Sequence, residues 1–182
     1  MSLTRIRQQF AENIEHSMKA AELLPEALLD AGNKLVASLL EGGRIFSAGD
    51  HAGVHLSTQF SSLLLQGQGQ RPPLPAWQLS SHGNAEHGAA TLQALAQRGD
   101  VLLLVHPSSN SAEQLIGAAH DRDVLVVLIS PQIDNRHAVL CTGNDVAIIV
   151  PADSPLRCNE VSLLIVHALC DHIEQQLFGD LS

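Results

Sequence analysis

The sequence predicts an α/β fold: a parallel sheet with helices on both of its faces. Three observations carry that prediction. Short apolar runs such as Val101-Leu102-Leu103-Leu104-Val105 alternate with segments whose apolar residues recur at helical spacing. The run Val124–Ile129 is apolar at every position, as a parallel strand covered on both faces would be. Twice, a strand-like run leads through a tight polar turn directly into a helix-like segment. This repeated alternation implies a three-layer αβα sandwich.

Each element has its own signal. Residues 3–22 read as a helix, with Ile6, Phe10, Ile14, Met18 and Ala21 spaced by three or four. Pro25 opens a second helix over about 25–41, ended by Gly42-Gly43. Both helices precede the first strand. Segment 1–43 is therefore read as helices contributing to an oligomer bundle, and 44–182 as the sheet-bearing part of a single structural domain. Strand Arg44–Ala48 meets the turn Gly49-Asp50-His51-Ala52-Gly53, and a helix follows over Val54–Leu65. Gln66-Gly67-Gln68-Gly69-Gln70 breaks the chain, and Arg71-Pro72-Pro73-Leu74-Pro75 is extended. Ala76-Trp77-Gln78-Leu79 is a short strand, Ser80–Gly88 a loop, and Ala89–Gln97 a helix.

Strand Val101–Val105 runs into His106-Pro107-Ser108-Ser109-Asn110-Ser111, and a helix follows over Ala112–Arg122. Strand Val124–Ile129 comes next, and Pro131–Asn144 is irregular. Asp145–Pro151 is the last strand, and a long helix over about Asn159–Phe178 closes the chain.

Composition removes several function classes. Nineteen Asp and Glu face ten Lys and Arg, a net charge of −9. That argues against direct nucleic-acid binding, which needs clustered cations for phosphates. The apolar runs are too short to span a bilayer, and no signal-peptide pattern opens the chain. The expectation is a cytoplasmic protein without membrane contact. Cys141, Cys158 and Cys170 are scattered, with no CxxC, and read as plain thiols.

The chemistry gathers at the two turns. A glycine turn or a hydroxyl-rich turn before a helix can hold an anion with backbone N–H groups and side chains. Ser108, Ser109, Asn110 and Ser111 are the leading ligand-binding set, although Pro-Ser-Ser-Asn is also ordinary turn chemistry. Five of the ten histidines fall near these turns in sequence: His51, His55, His82, His87 and His106. His51 and His55 are four apart, a spacing zinc ligands use, with Asp50 or Glu86 as a further donor. They read first as polar residues around a solvent-filled cleft, so no cofactor is expected and zinc stands only as the lesser alternative. Arg157 and Glu160 begin the last helix, where Glu160 would favour the positive end of the helix dipole. Leu177 and Phe178 end it, either as a partner contact or as core.

The ordered motifs resemble the sugar isomerase (SIS) family, a flavodoxin-like or Rossmann-like fold. Within it they resemble the branch that holds phosphoheptose isomerase and the DnaA initiator-associating protein. Gly49–Gly53 stands where the family has Gly-Asn-Gly-x-Ser. Arg71-Pro72-Pro73-Leu74-Pro75-Ala76 stands for its Arg-Pro-x-x-Pro-Ala, and Gly99-Asp100-Val101-Leu102-Leu103 for its Gly-Asp-Val-Leu-Leu. His106–Ser111 replaces Ser-Thr-x-Gly-Asn-Ser, and Arg157-Cys158-Asn159-Glu160 replaces Arg-x-Gln-Glu. The ending Cys170-Asp171-His172-Ile173…Leu177-Phe178 looks most like the initiator-associating proteins.

The resemblance implies a homotetramer, a sugar-phosphate pocket and a role in timing replication through the initiator protein. It also marks departures. The family's asparagine is Asp50, its phosphate-binding serine Gly53, and its glutamine Asn159. The isomerase's acid/base histidine and glutamate fall on Gln59 and Leu63, while its second histidine survives as His167. Leucine moves no proton and holds no metal. The expectation is a non-catalytic, sugar-phosphate-binding SIS protein with Asp50, His51, Gly53, Ser108–Ser111 and Asn159 at its site. The alternative is an aldose–ketose isomerase of sedoheptulose 7-phosphate with a rebuilt site that could still use His167.

Overall fold

The computed structural model describes residues 2–67, 71–79 and 85–179. The elements run α1 (Leu3–Leu23), α2 (Pro25–Leu40), β1 (Ile45–Gly49), α3 (Ala52–Gln66), β2 (Ala76–Gln78) and α4 (Ala85–Leu95). They continue β3 (Val101–Val105), α5 (Ser109–His120), β4 (Leu125–Pro131), two 3-10 turns at Gln132–Asp134 and Arg136–Leu140, β5 (Val146–Val150) and α6 (Pro155–Phe178). The five strands form one parallel sheet in the order β2-β1-β3-β4-β5.

Strand alternation divides the core in two. On β3, Val101, Leu103 and Val105 face one side, with Leu35 and Val36 of α2, Phe60 and Leu64 of α3, and Val161 and Ile165 of α6. Leu102 and Leu104 face the other, with Leu92 of α4 and Leu115 and Ile116 of α5. The sheet is thus covered on both faces, which is why β3 and β4 carry no polar alternation. Helix α2 belongs to the core. In α1 the only buried residue is Ala20, and Leu3, Phe10, Ile14 and Met18 are exposed along it. Among the described residues no helix is long and apolar enough to cross a membrane.

Three helices begin three or four residues earlier than their periodicity predicts, each for a local reason. Helix α4 starts at Ala85, inside the stretch read as a loop. Ala85, Gly88 and Leu92 form its buried face, and Gly88 lets it lie close to Leu115 of α5. Helix α5 starts at Ser109 because the Ser108 side chain caps it, accepting from Ser111 N. Helix α6 starts at Pro155, with the Ser154 side chain accepting from Arg157 N. Proline fits this first position, since its missing N–H would have no helical partner there. Arg157 and Glu160 therefore lie past the helix start, and the dipole reading of Glu160 gives way to a tertiary role described below. Positions 68–70 of the breaker and 80–84 of the loop, His82 included, lie outside the described residues.

The strand order positions the site. From β1 the chain moves one way to β2, then crosses to β3 on the other side of β1. In open parallel sheets the crevice beyond the strand C-termini at such a switch is where ligands bind. Here it lies between the β1–α3 and β3–α5 turns, the two turns that carry the polar motifs.

Candidate functional site

The two turns touch backbone to backbone. A Cβ on Gly53 would lie 2.1 Å from the Val105 carbonyl oxygen, and one on Gly49 would lie 2.5 Å from it. Glycine at both positions lets the β1–α3 turn settle on the end of β3. The ligand-binding expectation for Gly53 is corrected by this packing. The residue is buried against the main chain, and a serine there would clash before its hydroxyl reached a ligand.

That contact delivers Asp50 to the N-terminus of α5. Its Oδ2 accepts from Ser108 N at 2.7 Å. Burial pushes the carboxyl pKa up. The Ser111 hydroxyl, the Ser108 N–H and hydroxyl and nearby His51 outweigh it, so the net shift is downward and the group is ionised at neutral pH. Ser108 and Ser111 also bond to each other, at 3.2 Å between hydroxyls. Ser109 meets the Nε2 of buried His137 at 3.2 Å. Asn110 is exposed, and its Oδ1 accepts from Gln114 one turn along α5. It does not line the cavity described next, contrary to its place in the predicted set.

A cavity of about 500 Å³ opens beside this cradle. His51, Ser108 and Ser109 line it from the two turns, and Pro155, Cys158 and Asn159 from α6. His106 also lines it. The Nε2 of His106 lies 2.9 Å from the Ser162 hydroxyl and 3.6 Å from Cys158 Sγ. Burial drives its pKa down to about 4, opposed by a hydrogen bond with Asn159. The ring is therefore neutral near pH 7. Burial also raises the Cys158 thiol to about 11, with the Ser162 hydrogen bond opposing. A neutral imidazole beside a protonated thiol is a polar wall, not an activated nucleophile.

The positions that resemblance ties to acid/base chemistry lie elsewhere. Gln59 Nε2 is 2.9 Å from His167 Nε2. Leu63 packs on the apolar core. His167 is exposed and does not line the cavity. An amide, a methyl-bearing chain and one imidazole do not make a zinc site, so the residues do not fit the metal of the isomerase chemistry. His51 and His55 are both exposed, His51 in the turn and His55 on α3. Glu86 and His87 sit on α4. Among the described residues no group of three or more His, Cys, Asp or Glu is arranged to hold a metal.

His51 carries backbone strain. Its φ of 49° and ψ of −118° lie in a region that glycine favours. The resemblance puts glycine at this position. His51→Gly is expected to stabilise the fold by about 1 kcal/mol, as relieved strain exceeds the added freedom of the unfolded chain. A thermal melt that moves down instead would show that the histidine ring contributes contacts worth more than the strain.

Sequence reasoning missed two clasps because each joins residues more than a hundred positions apart. Arg157 is buried, with Nη1 2.5 Å from Glu160 Oε2 and Nη2 bonded to Gln9 and 3.6 Å from Glu12. Asn13 Nδ2 donates to the same Glu160 oxygen at 2.7 Å. This set holds α1 on α6. Arg71 and Glu174 form a second pair at 2.6 Å, both largely buried, which ties the proline-rich segment to the end of α6. At that end Leu177 packs on the core, whereas Phe178 is 39% exposed. The predicted partner surface thus divides: Phe178 is available and Leu177 belongs to the interior. His137 and Ser162 were also unforeseen, since nothing in an irregular segment or in an apolar helix marks them.

Comparison with known proteins gives a consistent result. No family model matches the chain. It is 36% identical over 190 residues to the phosphoheptose isomerase of Shewanella frigidimarina, covering 97% of this chain and 96% of that protein. The phosphoheptose isomerase structure from Francisella tularensis superposes with a TM-score of 0.88 at 28% identity, over 96% of this chain and 99% of the other. The one from Neisseria gonorrhoeae gives a TM-score of 0.84 at 26% identity, over 94% and 98%.

Proposed function

The chain belongs to the phosphoheptose isomerase family of SIS-domain proteins, and within that family we propose that it is a non-catalytic member that binds a carbohydrate derivative. The carrying observation is the Gln59–His167 pair at 2.9 Å beside core-packed Leu63. Isomerisation through an enediol needs a group that takes a proton from one carbon and returns it to its neighbour. An amide and a leucine supply none, and burial lowers the pKa of the cavity-lining His106 to about 4 against its hydrogen bond with Asn159, which leaves that imidazole a weak proton acceptor. Sedoheptulose 7-phosphate should therefore not be turned over by the purified protein, with or without added zinc. Turnover that disappears in His167→Ala would overturn the proposal.

The second reading, a sedoheptulose 7-phosphate isomerase with a rebuilt site, is favoured by what the relatives are called. Names attached at 36% identity do not carry a proton-transfer group across to positions 59 and 63. The proposal therefore rests on the residues that are present.

Assembly and partners extend the proposal. Leu3, Phe10, Ile14 and Met18 line α1, with Phe10 69% exposed. Apolar stripes of this kind are covered by a partner, here further copies of the chain as a homotetramer. A cytoplasmic regulator that contacts the replication initiator through Phe178 fits the resemblance of the C-terminal motif. Several copies in one assembly would raise a weak contact by avidity. The net charge of −9 leaves no direct role for nucleic acid.

A further inference from the structure

We infer that the cavity is selective against phosphate, with Asp50 as the specificity-determining residue, and that its ligand is a carbohydrate carrying no negative charge. This deepens the carbohydrate-binding reading and rests on it.

The N-terminus of α5 is where a phosphate would find donors. Two of those donors, Ser108 N and Ser111 N, are already engaged. Ser108 N donates to Asp50 at 2.7 Å, and the Ser108 hydroxyl donates to the Ser111 hydroxyl at 3.2 Å. Ser111 N is held by the Ser108 side chain. Asp50 does not itself line the cavity, but its carboxylate is fixed on Ser108, which does, and an anion brought up to Ser108 would meet a negative charge that repels it strongly away from bulk water.

Apart from His51, whose charge interaction favours the Asp50 carboxylate, nothing in the cavity wall offsets that charge. Among the described residues no Lys or Arg lines it, and the rim adds a second carboxylate, Asp134. The nearby guanidinium of Arg136 is turned to Asp134, at 2.6 Å. Arg157 is buried beneath α1 and paired with Glu160 and Glu12. What the wall does offer suits a neutral polyol. The Ser109 hydroxyl, the Asn159 amide and the imidazole of His51 can exchange hydrogen bonds with sugar hydroxyls, and Pro107, Pro131 and Ile133 present an apolar face to ring C–H groups.

The experiment compares sedoheptulose with sedoheptulose 7-phosphate, a pair differing only in the phosphate, by calorimetry on the full chain. Wild type should bind the free sugar at least as tightly as the phosphate. Asp50→Asn keeps an acceptor for Ser108 N and removes the charge. It should shift the affinity ratio toward the 7-phosphate by about tenfold or more. Asp50→Ala, which vacates the donors, should shift it the same way and should also gain binding of inorganic phosphate. Circular dichroism confirms that each variant is folded, and one folded variant suffices for the comparison. Wild type preferring the phosphate, an unchanged ratio in a folded variant, or no binding of either sugar to wild type would each overturn the inference. Turnover of the 7-phosphate is scored separately and bears on the non-catalytic reading. A protein that binds the 7-phosphate tightly without turning it over would overturn only the charge selectivity.

Discussion

Arg157→Ala is expected to loosen α1 from the rest of the protein and to lower stability by about 2–3 kcal/mol. Arg157 is 4% exposed, so its loss leaves Glu160 facing the interior without its closest cation. The estimate sits below that for a fully buried pair because Glu160 and Glu12 are partly exposed. In a domain of this size the thermal midpoint should fall by roughly 4–12 °C. The effect should be concentrated in one element. With Ala20 its only buried residue, α1 has little apolar attachment to its own chain, and the contacts of Gln9, Glu12 and Asn13 with Arg157 and Glu160 hold it. Amide exchange across Leu3–Leu23 should accelerate well before the sheet opens. Under the proposed assembly the mass by light scattering should also drop, because the exposed apolar stripe proposed to seal it lies on the same helix. Full protection of α1 in the variant would mean that the polar clasp is not what docks it.

The second large effect is at Gly53. Gly53→Ser should destabilise the fold by about 3 kcal/mol, near the upper end for overpacking, because the obstacle is main chain and cannot rotate away. Gly53→Ala should cost nearly the same, since a Cβ at 2.1 Å from the Val105 carbonyl is the problem in both. Neither should gain phosphate affinity. A serine variant that melts like wild type, or that is much more stable than the alanine variant, would show that the turn can move and admit a hydroxyl. The two outcomes are read from urea titrations, whose midpoints report stability as long as the slope is unchanged.

Much of the architecture was legible because sheet burial is written as composition. Val101–Val105 begins and ends where its apolar run does, and the strand–turn–helix order forced a parallel sheet. Helix starts were less legible. The last helix reads from about Asn159, whereas Pro155 is the first residue of α6, a role visible only with Ser154 as its cap. At the site, the sequence showed that Asp50 is a charge in an anion turn. It could not show that the carboxylate already takes the Ser108 N–H, because that bond spans 58 positions and depends on two glycines meeting Val105. Gly53 looked like a serine that had lost its hydroxyl, whereas the space around it excludes any side chain. His167 looked like a surviving catalytic group, and the sequence could not show that it stays out of the cavity lining and pairs with Gln59.

The most direct test of the non-catalytic reading is carbon-bound hydrogen exchange. Proton transfer through an enediol in deuterium oxide labels the carbon next to the sugar carbonyl, even when product never leaves the site. Sedoheptulose 7-phosphate incubated with the wild-type protein in deuterium oxide should show no enzyme-dependent loss of the corresponding proton resonances. Deuterium incorporation that scales with protein concentration and is lost in His167→Ala would contradict the account, and would make His167 part of a working acid/base site.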